Sequence, residues 1–165
     1  MKLDAFNRLG DEAARAAVRP CADIDRWVDA VVAGRPYATV EQLLETARAS
    51  AAPWTVTEID GALAHHPRIG ERPRGGGAEA SHSRSEQAGL GEPTSDVAAA
   101  LAAGNRAYEE KFSRVFLIRA AGRSADEILG ALNGRLAHTE EEEIPVVAEQ
   151  LRQIAVLRLE GIIGS

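Results

Sequence analysis

The chain has 165 residues, of which 45% are hydrophobic and 27% charged, a globular composition that excludes a disordered polypeptide. Its length suits one hydrophobic core, so a single domain over residues 1–165 is expected. With 19 Lys and Arg against 25 Asp and Glu, the net charge of −6 gives no electrostatic support to a nucleic-acid partner. Cys21, the one cysteine, can form neither an internal disulfide nor a multi-thiolate metal cage, which points to a reducing, cytoplasmic setting. Charged residues break every apolar run of the first twenty, so neither a signal-peptide core nor a membrane span is expected there.

Aromatic residues are scarce at 4%. Because β-branched residues seldom alternate with polar ones, the period to look for is helical. Ile24, Trp27, Val28, Val31 and Val32 recur at helical spacing and predict an amphipathic helix that stops near Gly34 and Pro36. Thr39 with Gln42 reads as a capping box for a second helix, whose stripe of Val40, Leu43, Leu44 and Ala47 continues until Pro53 blocks it. Thr57 is the expected cap of a third, which carries Ile59, Ala62 and Leu63 and is ended by Pro67. Residues 66–81, HPRIGERPRGGGAEAS, follow as a loop rich in proline and glycine, the kind of long connection that often carries function.

Ser83 and Glu86 read as a capping box that restarts a helix through Gly89, and Thr94 or Ser95 caps a longer alanine-rich helix to about Phe112. Val115 to Ile118 is expected to be briefly extended. Ser124 with Glu127 opens a helix bearing Ile128, Leu129, Leu132 and Leu136. The last helix starts with Thr139 and Glu142, and its four glutamates at 140–143 suit the positive end of the helix dipole and read as a solvated cap. The expected fold class is therefore all-α, a single-domain bundle of roughly seven to nine helices.

Several polar residues fall at apolar positions. On the last helix Ile144, Val147, Leu151 and Ile154 share a face whose next member is Arg158, an inward guanidinium that needs a carboxylate, a carbonyl or another partner. His66 shares the stripe of Ile59, Ala62 and Leu63, at a core-facing helix end beside the long loop. If a helix opens at Ser83, its N-terminal end presents Ser83, Glu86 and Gln87, where backbone N–H groups favour anionic ligands. The spacing of His65, His66, Glu71 and His82 matches no metal motif, and Cys21 reads as an inert thiol. The glycines at 75–77 lack the GxxxxGK[ST] pattern of a phosphate loop and read as flexible chain.

Taken in order, HPRIG at 66–70, SRSEQAGL at 83–90, NRAYEEKF at 105–112, VFLIRAAGRS at 115–124 and IAVLRLEGI at 154–162 resemble the OHCU decarboxylase family. The resemblance covers nearly the whole chain. It implies an all-helical fold, frequent homodimerisation, no cofactor or metal, and one small-molecule substrate, 2-oxo-4-hydroxy-4-carboxy-5-ureidoimidazoline (OHCU). In urate catabolism that family decarboxylates OHCU to (S)-allantoin. By motif, the resemblance makes His66 the catalytic histidine and Glu86 its acidic partner, with Pro67, Ser83 and Gln87 lining the substrate site. It also implies substrate contacts from main-chain groups of Phe116, Leu117, Ile118, Arg119 and Ala120, and from Arg158. Where the family commonly has Gly after its Lys-Phe pair, this chain has Ser113-Arg114, and residues 71–81 match none of its motifs.

Loss of carbon dioxide from the hydroxyl-bearing carbon leaves electron density that the adjacent ring unsaturation can accept, so the protein must supply charge placement and a proton. A His66–Glu86 pair suits the proton transfer, and Arg158, Ser83 and Gln87 suit orientation of the carboxylate, ring carbonyls and ureido group. The competing reading is a noncatalytic helical interaction module in which Ser83 and Glu86 only cap, His66 only packs and Arg158 closes an internal ion pair.

Overall fold

The computed structural model describes residues 1–71 and 76–164. Among the described residues there are nine α-helices, two 3-10 turns and no strand, as the helical periodicity requires. The chain forms two compact units, one from residues 1–62 and 151–165 and the other from residues 63–150.

In the first unit, α1 (Leu3–Arg8), α2 (Asp11–Val18), a 3-10 turn (Arg19–Cys21), α3 (Asp25–Ala33), α4 (Val40–Ser50) and most of α5 (Val56–Leu63) precede the C-terminal part of α9 (Glu140–Ile163). Trp27, Val28, Val31 and Val32 are buried as their spacing predicts, and so are Leu43, Leu44 and Ala47. Trp27 donates its indole N–H to the Ala47 carbonyl at 2.9 Å, which ties α3 to α4. The Arg35 guanidinium gathers the carbonyls of Phe6 (3.0 Å) and Leu9 (2.6 Å) and the carboxylate of Asp11, closing the end of α1. Cys21 is buried at the end of its turn. Helices α1 and α2 are short and follow Lys2 and Gly10, neither of which gives a side-chain cap, while Asp11 and Glu12 place acid in the first turn of α2.

The second unit contains α6 (Ala78–Gln87), a 3-10 turn (Ala88–Leu90), α7 (Ser95–Phe112), α8 (Ala125–Arg135) and the start of α9. Leu101, Tyr108, Phe112, Phe116, Ile118, Ile128 and Leu132 form its core. At the crossing of α7 and α8, Gly104 admits Leu132 where a Cβ would lie 2.4 Å from the Leu132 Cδ2. Residues 115–120 lie in neither a helix nor a strand.

The helix starts test the capping readings one by one. Thr39 accepts from Gln42 N–H, while Gln42 returns a bond to the N–H of Ala38. Thr94 caps α7, and Ser124 accepts from Glu127 N–H on α8. A reciprocal box opens α9, with Thr139 accepting from Glu142 N–H and Glu142 from Thr139 N–H. Thr57, however, lies inside α5, whose reciprocal box is Thr55 with Glu58. Likewise α6 begins at Ala78 after Gly77, five residues before Ser83, so Ser83 and Glu86 are interior and make no capping box. The anion-favouring helix end proposed for them is absent as well. The loop after α5 accordingly closes at Gly77, and the flexible reading of Gly75 falls outside the described residues.

Ser113, after α7, adopts the left-handed conformation with φ 57° and ψ 28°. A side chain with a Cβ is disfavoured there, and glycine is the usual residue. Ser113→Gly should therefore raise stability by about 0.5–1 kcal/mol, read as a higher unfolding midpoint in denaturant. An unchanged or lower midpoint would contradict the strain.

Candidate active site

Helix α5 ends at Leu63, and the turn that follows is closed by His66 N–H donating to the Leu63 carbonyl at 3.0 Å. His66 therefore stands just past the helix rather than on its stripe, half-buried and beside half-buried Pro67. The next residues are gripped by three side chains of α6 and α7. Arg68 places Nε and Nη2 on the two carboxylate oxygens of Glu109, at 2.5 and 3.0 Å. Asn105 donates Nδ2 to the Ile69 carbonyl at 3.0 Å, and Gly70 N–H donates to Gln87 Oε1 at 3.2 Å. Gly70 has φ +89°, so glycine is needed to make this turn. The Arg68 pair is largely exposed and contributes little, whereas the buried Asn105 bond holds a carbonyl that has lost its water.

On α6, Glu79, Ala80, Ser83, Glu86 and Gln87 share one face by the helical period. Ser83 is buried, and the other four are half-buried. That face is tied to the segment after α5 at both ends, through His65 Nδ1 at 3.6 Å from Glu79 Oε2 and through the Gly70–Gln87 bond. Ser83 and Glu86 lie between the two ties. His66, Pro67, Ser83, Glu86 and Gln87 thus belong to two neighbouring segments of one unit. Next to the same turn is a cavity of about 380 Å³ between residues 68–71 and α7, lined by Ile69, Leu101, Asn105 and Arg106. A second, of about 520 Å³, is lined by Gly70, Arg84, Gln87 and Leu90. Among the described residues no group of three or more His, Cys, Asp and Glu could hold a metal ion.

Phe116, Leu117, Ile118 and Ala120 are buried and Arg119 is half-buried. Three side chains hold this irregular stretch: Arg135 donates Nη1 to the Leu117 carbonyl at 2.6 Å, Arg119 N–H donates to Gln150 Oε1 at 2.9 Å, and Arg123 donates Nε to the Arg119 carbonyl at 2.9 Å. Arg135 in turn is held by Glu143, whose Oε1 accepts its Nε at 2.7 Å and lies 2.5 Å from its Nη2. The same oxygen accepts the Tyr108 hydroxyl at 2.7 Å, and Oε2 lies 2.9 Å from His138 Nδ1. Burial, reinforced by the hydrogen bond to Glu143, pushes the Tyr108 hydroxyl well above the ordinary phenol range. Glu143 is fully buried, which overturns the reading of the 140–143 run as a uniformly solvated cap. Among the four, Glu143 stands one turn before Val147 on the stripe that Leu151, Ile154 and Arg158 continue, and that period sets it apart from its three neighbours.

Arg158 belongs to the other unit and is buried on the stripe that its spacing predicts, with Val147, Leu151 and Ile154 buried before it. Its Nη1 donates to the Pro20 carbonyl at 3.0 Å.

The family model for OHCU decarboxylases matches residues 7–160. The chain belongs to the OHCU decarboxylase family. An OHCU decarboxylase from Amia calva is 32% identical over 136 residues, 81% of this chain and 78% of the relative. The Haloferax volcanii OHCU decarboxylase is 26% identical over 161 residues, 96% and 94% of the two chains. A crystal structure of an OHCU decarboxylase in the presence of (S)-allantoin superposes with a TM-score of 0.74 at 24% identity, over 95% of this chain and 100% of the other, and so shares the fold.

Asn105, Tyr108 and Glu109 all lie in the NRAYEEKF string, yet only the structure shows that they hold the turn after His66 and the Glu143 carboxylate. Asn105→Ala would leave the Ile69 carbonyl without its donor, so a loss of about 1–3 kcal/mol is expected in chemical denaturation. A loss below about 0.5 kcal/mol would show that the bond contributes nothing net.

Proposed function

We propose that this chain catalyses the decarboxylation of OHCU to (S)-allantoin and carbon dioxide, completing the conversion of urate to allantoin in purine catabolism. The observation that carries the reading is the family match across residues 7–160, with curated decarboxylases as relatives over most of their own length. That match runs through both compact units, which supports their acting as one OHCU decarboxylase-like domain over 1–165.

In this mechanism His66 and Glu86 are the catalytic pair. The bond to the carboxylate carbon breaks and its electron pair enters the adjacent ring unsaturation to give an enol, whose hydroxyl proton then leaves as the ring carbonyl forms while a proton reaches the neighbouring ureido-bearing carbon. His66, with Glu86 as its acidic partner, exchanges the proton on one side of the ring, which makes the product chiral. Ser83, Gln87 and Pro67 line the substrate, and main-chain groups of residues 116–120 together with Arg158 orient it. The ties that hold α6 to the segment after α5 support this assignment, because they fix the elements bearing the proposed pair.

The proposed reaction needs no cofactor, since the ring itself takes up the electrons. A cytoplasmic homodimer is the proposed form. The single buried cysteine agrees with a reducing compartment, and among the described residues no helix is long and apolar enough to cross a membrane.

Protein stripped with a chelator should convert freshly generated OHCU to optically pure (S)-allantoin faster than the spontaneous reaction. Racemic product at the background rate would overturn the proposal and favour the noncatalytic interaction module. His66→Ala and Glu86→Ala should each lower kcat by at least about a hundredfold. Arg158→Lys keeps the charge but not the planar fork, so kcat/KM should fall by about 1–3 kcal/mol in transition-state terms at a nearly unchanged Tm. Early unfolding with full activity per folded molecule would instead assign Arg158 to the core.

A further inference from the structure

Buried backbone outside helices and sheets must find each of its hydrogen-bond partners individually. In the stretch 116–120, the Leu117 carbonyl is fixed by Arg135 Nη1 and the Arg119 N–H by Gln150 Oε1. Each of these groups lies in a planar trans peptide unit, so fixing it fixes the plane. The Leu117 carbonyl shares its plane with the Ile118 N–H, and the Arg119 N–H shares its plane with the Ile118 carbonyl. In a trans unit the two groups point in opposite directions. The anchors therefore set the directions of one donor and one acceptor on the same residue, each turned away from its own anchor.

Arg135 is itself immobilised. Glu143 binds it through Nε and Nη2, the guanidinium stacks 4.5 Å from the centre of the Phe116 ring, and α8 carries it at its last residue. Tyr108 and His138 hold Glu143 from α7 and from the turn before α9. The chain of contacts therefore runs from a buried carboxylate through one guanidinium to one main-chain carbonyl.

We propose that Arg135, held by Glu143, is a positioning residue that fixes the Leu117–Ile118 peptide so that Ile118 presents its N–H and carbonyl as a donor–acceptor pair to the amide-like edge of the substrate. This rests on the OHCU decarboxylase reading and on the substrate role proposed there for 116–120. A ring or ureido amide carries a complementary acceptor and donor, and a preset pair avoids the cost of ordering the backbone at binding.

The test compares wild-type protein with the triple variant Y108F/R135M/E143L, which removes Tyr108, Arg135 and Glu143, the buried polar side chains of the network, together and so leaves neither member of the ion pair alone. The variant should fold, its KM should rise by about tenfold or more with a smaller change in kcat, and the amides of 116–120 should exchange hydrogen faster while α7 and α8 stay protected. A folded variant whose KM and amide exchange match wild type overturns the proposal. If the triple variant does not fold, Arg135→Lys decides the question. It keeps a cation beside Glu143 but cannot hold both the carboxylate and the Leu117 carbonyl with one planar fork, so KM should rise by at least about threefold, and an unchanged KM overturns the proposal. Wild-type protein that does not turn over OHCU overturns the function reading and this inference with it. Wild-type activity with an unaffected variant overturns this inference alone.

Discussion

A carboxylate withdrawn from water dominates the second unit. Glu143 is fully buried and must be compensated from within the protein. The compensation comes from Tyr108 on α7, Arg135 at the end of α8 and His138 before α9. Each bond is directional, so the charge constrains how these helices meet in a way that apolar contact alone does not. Apolar residues of similar volume would fill the space about as stably. The network instead specifies one register and extends it, through Arg135, to the Leu117 carbonyl in a stretch that has no regular structure of its own.

Helical period carried most of the fold in the sequence. Trp27, Val28, Val31 and Val32 show it in one unit and Ile128 with Leu132 in the other, and all are buried. Arg158 was legible for the same reason, because a polar residue in an apolar stripe stands out against it. Capping was less secure. Thr55-Val-Thr-Glu and Ser83-Arg-Ser-Glu carry the same spacing, yet the first opens a helix and the second lies within one. The difference lies upstream, where Thr55 follows Pro53 and Trp54, while Ser83 follows Ala78, Glu79 and Ala80, which already extend a helix.

The site was legible only in part, because its supports are long-range. Ile69 is tied to Asn105 and Arg68 to Glu109 across 36 and 41 residues, and no local pattern announces either pair. The glutamates at 140–143 present the same difficulty in reverse. They look alike as a charge run, and only the helical period, which puts the last of them one turn before buried Val147, sets it apart. The family resemblance nominates His66, Ser83 and Glu86, whereas spacing misplaced them, and what holds their segments is written in tertiary contacts.

The division of the chain into units has a consequence for its synthesis. Residues 63–150 are contiguous and can collapse as soon as they leave the ribosome, but residues 1–62 are completed only by 151–165. Leu151, Ile154, Ala155 and Leu159 are all buried, the Met1 amino group donates to the Ile162 carbonyl at 2.7 Å, and Arg158 reaches Pro20. The first helices made must wait for the last one while 88 intervening residues are translated, about 4–18 s at ordinary elongation rates. For that interval the N-terminal helices lack the closing segment with its buried Leu151, Ile154, Ala155 and Leu159, and part of their apolar surface stays open to other chains.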